Sequence, residues 1–142
     1  MDFDSTEILL IIENKLQISL NNNVLIIELF EESLLEEDTN KMNNVLDTFY
    51  DNCKKNNIFF YILYDFSQLS ITSSTNLIYN ASIYQDHFDK NISILRSNLK
   101  SLCVIITNYT LRESLISILD LYKPELKVNL IEKFEDTTKY FL

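Results

Sequence analysis

Ile58-Phe59-Phe60-Tyr61-Ile62-Leu63-Tyr64 is a nearly continuous apolar run, and Asp65-Phe66-Ser67-Gln68 follows it directly. The run is long enough for a strand and too short for a helix, which needs about 10–12 residues. It does not alternate apolar with polar, so it suits a strand covered on both faces. Leu102-Cys103-Val104-Ile105-Ile106 has the same character and closes on Thr107-Asn108. Buried strands of this kind belong to sheets with helical crossovers, so the segments between them should be helices.

They have that pattern. Met42, Val45, Leu46, Phe49 and Cys53 recur at helical spacing, which predicts an amphipathic helix over residues 36–56. Glu36, Glu37 and Asp38 favour its N-terminus, Ser33 stands at capping-box spacing from Glu36, and Lys54-Lys55 suits the C-terminal end. Asn56-Asn57 ends it. Thr72-Ser73-Ser74 offers caps for a second helix, whose buried face is Leu77, Ile78, Ala81, Tyr84 and Phe88. Ile92, Leu95 and Leu99 add a further helical turn or two. Leu111, Leu115, Ile118, Leu119 and Tyr122 mark a third helix, halted by Pro124. Val128 to Ile131 is a last short strand, and Phe134 to Leu142 a short terminal helix.

Upstream, Ile8 to Ile12 leads into the alternating Leu16, Ile18 and Leu20, and Val24 to Phe30 follows as a strand. Asn21-Asn22-Asn23 joins them as a turn, because Asn tolerates positive φ best among residues other than glycine. The predicted order is ββαβαβαβα: an α/β fold with a mostly parallel sheet, an antiparallel N-terminal hairpin and helices packed on the sheet. No linker or repeat interrupts it, so residues 1–142 read as a single domain.

Composition narrows the functional classes. The chain of 142 residues contains no glycine, which removes Gly-rich phosphate cradles, the dinucleotide fingerprint and the glycine-kinked nucleophile elbow. Its 12 basic and 21 acidic side chains give a formal charge of −9. Nucleic acid and anionic membranes are poor partners for such a surface. No apolar run approaches the roughly 20 residues of a membrane span, and the acidic start Asp2-Phe3-Asp4 is unlike a signal peptide. A cytoplasmic protein with reduced cysteines is expected. Abundant Ile, Asn, Lys and Tyr with scarce Gly, Ala, Pro and Trp reflect an AT-rich genome, as in some protists or large DNA viruses. A viral source would place the chain in the host cytoplasm or the virion.

The element order and Ile62-Leu63-Tyr64-Asp65-Phe66-Ser67-Gln68-Leu69 resemble the STAS (SpoIIAA-like) domains, the fold of bacterial anti-sigma-factor antagonists. In that family an apolar strand ends in Asp-apolar-Ser, and the next helix starts Asp-Ser-Ser/Ala-Gly, with the first Ser phosphorylated. Counting from Asp65, those places hold Ser73, Ser74, Thr75 and Asn76, so Ser74 matches the phosphorylatable Ser. Ser73 stands where the family has Asp, and Asn76 where it has Gly. Val104 to Asn108, Leu111-Arg112 and Tyr122-Lys123-Pro124 resemble the eukaryotic and viral members, a group related in shape to CRAL-TRIO lipid-binding domains. The resemblance covers roughly residues 14–142 and implies a non-enzymatic domain that binds a protein partner through Asp65, Phe66, Ser67, Ser73, Ser74 and Thr75. It implies no cofactor and no metal.

Each of these residues also has a plainer reading. Ser73 and Ser74 can simply cap the helix, although a phosphate at Ser74 would face free backbone N–H groups at its start. Asp65 can bind a partner's cation or form an Asx turn with the amides after it. Gln85-Asp86-His87-Phe88-Asp89 is the one place where His neighbours carboxylates in sequence. Asp86 and Asp89 do not both share a helix face with His87, so a solvated helix end is expected rather than a zinc site. Cys53 and Cys103 sit at core-facing positions, where a thiolate is disfavoured. Glu31-Glu32 with Glu36-Glu37-Asp38 is a docking surface for a basic partner or a solvated helix start. Phe88, Ile92, Leu95 and Leu99 either close the core or roof an apolar pocket. Three functional readings therefore stand: an interaction domain, a carrier of an apolar small molecule or lipid, and a structural subunit of a larger assembly. Pairing of Ile8 to Ile12 with a second chain, giving a homo-oligomer, is a further expectation.

Overall fold

The computed structural model describes residues 6–30, 34–69, 81–122 and 126–141. Three strands open the chain: β1 (Thr6–Ile12), β2 (Leu16–Asn21) and β3 (Val24–Leu29). Helix α1 (Glu36–Asn56) leads to β4 (Phe60–Asp65). Helices α2 (Ala81–Lys90) and α3 (Ile92–Asn98) precede β5 (Leu99–Ile105). Helix α4 (Tyr109–Tyr122), β6 (Val128–Ile131) and a 3-10 helix (Phe134–Lys139) complete the order. The strands form one six-stranded sheet in sequence order. β1, β2 and β3 pair antiparallel, and β3 to β6 pair parallel. The fold is α/β, as the sequence predicts.

Sequential parallel strands joined by right-handed crossovers carry all their helices on one face. That front face presents Leu16, Ile18, Leu25, Ile27, Phe60, Ile62, Leu102 and Val104. Met42, Leu46, Tyr50 and Cys53 of α1 pack on it, with Ile94 and Leu95 of α3 and Leu111 of α4. Phe60 lies edge-on to Phe49 at 5.1 Å and stacks on Tyr50 at 5.8 Å. Burying each such side chain contributes on the order of 2 kcal/mol. Phe88 and Leu99 pack against this cluster and Leu95 is inside it, so these three close the core.

On the rear face, Val24, Leu63, Cys103, Ile105 and Ile131 form a second cluster. The C-terminal segment covers it with Phe134, Tyr140 and Phe141, and the Phe141 ring lies 5.0 Å from that of Tyr61. β4 is thus covered on both sides, which is why its sequence is continuously apolar. No helix among the described residues is long and apolar enough to cross a membrane.

The opening stretch departs from the two-strand expectation. It breaks at residues 13–15, where Asn14 takes φ 63° and the Lys15 N–H donates to the Ile12 carbonyl at 3.0 Å. Two strands therefore stand where one long strand was expected. The Asn21–Asn23 turn is as predicted, with Asn22 at φ 54°. Asn57, at φ 51°, ends α1 at the expected place. In a chain without glycine, asparagine supplies the left-handed positions among the described residues.

Helix α1 has its predicted bounds with a different cap. Asp38 accepts from the Leu35 N–H at 2.9 Å and from the Lys15 ammonium at 2.8 Å. Leu35 has no side-chain oxygen to return a bond, so only the reciprocal half of a capping box forms. Ser33 lies outside the described residues. So do Thr72 to Ser74, the expected caps of the second helix. The terminal helix is a 3-10 turn, in which the Thr137 and Thr138 hydroxyls donate to the carbonyls of Phe134 and Glu135.

Candidate functional site

In an open parallel sheet, the loops that leave the C-terminal ends of the strands share one edge, where ligands and partners are usually met. β4 ends there at Asp65, with β3 on one side and β5 on the other. Asp65 Oδ1 accepts from the Ser67 N–H at 2.9 Å and from the Ser67 hydroxyl at 2.6 Å. This is the Asx turn anticipated as the structural alternative. The Phe66 N–H donates to the Ile105 carbonyl at 2.9 Å, and the Leu69 N–H to the Phe66 carbonyl at 3.0 Å. The Phe66 ring packs beside Tyr64 against the front core, and Leu69 is buried. The turn is therefore tied to the neighbouring strand and anchored by an apolar side chain at each end.

Of the predicted site residues, Asp65, Phe66 and Ser67 are brought together here. Phe66 is partly buried, so it serves the turn more than the surface. Ser73, Ser74 and Thr75 lie outside the described residues.

Glu28, which the sequence reading did not single out, joins Asp65. The parallel register pairs Glu28 with Asp65, placing both on the rear face in adjacent strands. Partial burial, and secondarily the Asp65 charge, raise the Glu28 carboxyl above its ordinary value. Its signal in the sequence is a lone charge within the apolar stretch Val24 to Phe30. Further along the edge, Asn108 Oδ1 accepts from the Leu111 N–H at 3.0 Å and caps α4. Tyr109 beside it is 75% exposed. This edge can therefore offer hydrogen-bond acceptors, negative charge and an exposed aromatic ring to a partner.

The constellation around His87 differs from the expected solvated helix end. The imidazole packs inward against α1, where His87 Nε2 meets Asp47 Oδ1 at 2.8 Å. Lys90 Nζ and the Asn91 amide donate to the same carboxylate, at 3.0 and 3.1 Å. Asp86 and Asp89 stay exposed, and Gln85 donates to Asp89. No cluster of three or more His, Cys, Asp or Glu suited to a metal occurs among the described residues. Cys53 and Cys103 are fully buried, and burial pushes each thiol up to about 11. In the acidic stretch, Asp38 is committed to Lys15 and to the start of α1, whereas Glu36 and Glu37 remain exposed.

No protein-family model matches this chain, and a search of curated proteins finds none similar to it.

Proposed function

We propose that this chain is a non-enzymatic, STAS-like interaction domain that works in the cytoplasm and receives a protein partner at the C-terminal edge of its parallel strands. One observation carries the reading: the Asp65–Ser67 turn, held by two hydrogen bonds at the end of a central parallel strand. A turn fixed this way holds Asp65 to Leu69 in one conformation, which lowers the ordering cost of binding there. Glu28 and Asp65 add negative charge beside it, suited to a partner that contributes Lys or Arg. Ser73, Ser74 and Thr75 continue the same segment of chain, and Ser74 is the proposed phosphorylation position.

The test is native mass spectrometry of the protein taken gently from its source, beside the Asp65→Ala, Ser67→Ala, Ser74→Ala triple variant. The expected result is a stoichiometric protein complex that the variant loses while retaining its circular dichroism spectrum. A complex that survives all three changes would place the interface elsewhere. An apolar small-molecule adduct in place of a protein partner would replace this reading with the carrier one.

A further inference from the structure

The two edges of the sheet end differently. β6 is short, Val128–Ile131, as protected edges commonly are. β1 is longer, Thr6–Ile12, and carries neither lysine nor proline to discourage pairing. Among the described residues, no strand lies beyond it. Ile8 is 54% exposed and Ile11 58% exposed.

The register explains why both isoleucines stand on one face. β1 pairs Ile8 with Ser19 and Leu10 with Ile18, so Leu9 is the extra residue of a bulge. Before the bulge, Thr6 and Ile8 face the rear and Glu7 the front. After it, Leu10 and Ile12 face the front and Ile11 the rear. Leu9, Leu10 and Ile12 pack against the front core. From Thr6 to Ile12 the order of faces is rear, front, rear, front, front, rear, front. From Glu7 to Ile12 this order reads the same in both directions.

We infer that β1 is the homodimerisation edge of this protein, pairing antiparallel with β1 of a second copy about a twofold axis between Leu9 and Leu10. Opposed residues in a sheet must share a face. Only the register centred on the bulge meets that condition along the whole strand. It sets Ile8 against Ile11 of the second copy, and Glu7 against its Ile12. Moving one residue either way opposes front-facing side chains to rear-facing ones. The same register keeps the two Glu7 carboxylates apart, because each comes beside Ile12 of the other copy. This matters for two chains that each carry a net charge of −9. Both copies' Ile8 and Ile11 then form one apolar patch on the rear of a continuous sheet, in the isologous arrangement of a twofold dimer.

Cysteine cross-linking tests the register directly. Directly opposed antiparallel residues have Cα atoms about 4.5–5.5 Å apart, within disulfide reach. Ile8→Cys and Ile11→Cys combined in one chain should give a covalent dimer on mild oxidation, and so should an equal mixture of the two single variants. Either single variant alone should stay monomeric on a non-reducing gel, since its own counterpart lies roughly 10 Å along the strand. Native Cys53 and Cys103 are buried and do not compete. In sedimentation, the wild-type chain should dimerise, and Ile8→Lys with Ile11→Lys should be monomeric with an unchanged circular dichroism spectrum. A wild-type chain that sediments as a monomer throughout the micromolar range, or single variants that cross-link as well as the double, would overturn the inference.

Discussion

Asp47 on α1 and His87 on α2 meet at 2.8 Å although 40 residues separate them in the chain. Asp47 Oδ1 can only accept, so His87 Nε2 carries the donated proton. The Asn91 amide binds the same oxygen, and Lys90 binds Oδ2. The carboxylate therefore fastens the end of α2 to the middle of α1. Burial pushes the Asp47 carboxyl up, but donation from Lys90, Asn91 and His87 outweighs it and leaves it below the usual 3.8. A carboxyl lowered in the fold contributes stability above its unfolded value, and that stability is lost as pH falls through the folded value.

Asp47→Asn should accordingly lower the unfolding free energy at pH 7 by about 1 kcal/mol, as for a partly exposed charged hydrogen-bond acceptor. Urea titrations would check this. The difference from the wild-type chain should shrink steadily as pH falls below 3.8. An equal difference at both pH values would mean that the carboxylate charge contributes nothing to the contact.

Glu28 has the opposite sign. Burial, and then the charge of Asp65, hold its carboxyl above 4.5, so ionising it costs more in the folded protein than in the unfolded chain. Stability associated with that proton is present below the unfolded value and is lost as pH rises through the folded one. Glu28→Gln should therefore raise the urea midpoint at pH 7 and leave it unchanged near pH 4. The gain stays under about 1 kcal/mol because solvent screens a group that is only partly buried. In an NMR titration, Asp65→Asn should move the Glu28 carboxyl back toward 4.5.

These contacts show where the sequence is legible. The bounds of α1 follow from its 3.6-residue period and its Asn56-Asn57 stop, and both are local signals. The double cover of β4 follows from its unbroken apolar run, because each face needs its own apolar partner. The Asp65–Ser67 turn is a neighbour interaction and is equally readable. Asp65 meeting Glu28 depends on the register between parallel strands joined by a long crossover, which no local pattern encodes. Asp47 meeting His87 depends on how two helices settle on the sheet. The break at residues 13–15 is marked locally by the polar triplet Glu13-Asn14-Lys15, whose Asn14 takes the left-handed position, but the apolar stretches on either side read as one strand.

Both thiols should be inert in the folded protein. Cys53 faces the front core and Cys103 the rear cluster, each fully buried, and burial pushes each up to about 11. The thiolate is the reactive form, so at pH 8 little of it exists and none of it is accessible. Labelling with a thiol-specific chromophore should be slow in buffer and complete within the mixing time in concentrated urea. Rapid labelling of either cysteine in buffer would show that its side of the sheet opens easily.

Asn57 gives the sharpest test of how a chain without glycine makes its turns. It takes φ 51° after the last turn of α1, and the following Ile58 N–H donates to the Cys53 carbonyl at 2.9 Å. That bond satisfies one of the carbonyls that a helix leaves open at its C-terminal end. A left-handed residue with a β-carbon is strained by roughly 1–2 kcal/mol, a cost that asparagine partly relieves and glycine avoids. Asn57→Gly should keep or slightly raise the unfolding free energy, whereas Asn57→Ala should lower it by about 1 kcal/mol. Thermal and urea unfolding of the pair would decide between conformation and contact. If alanine were tolerated as well as glycine, the strain at residue 57 would be negligible, and Ile58 and Asn98, whose amide donates to the Ile58 carbonyl at 2.8 Å, would be what holds the end of the helix.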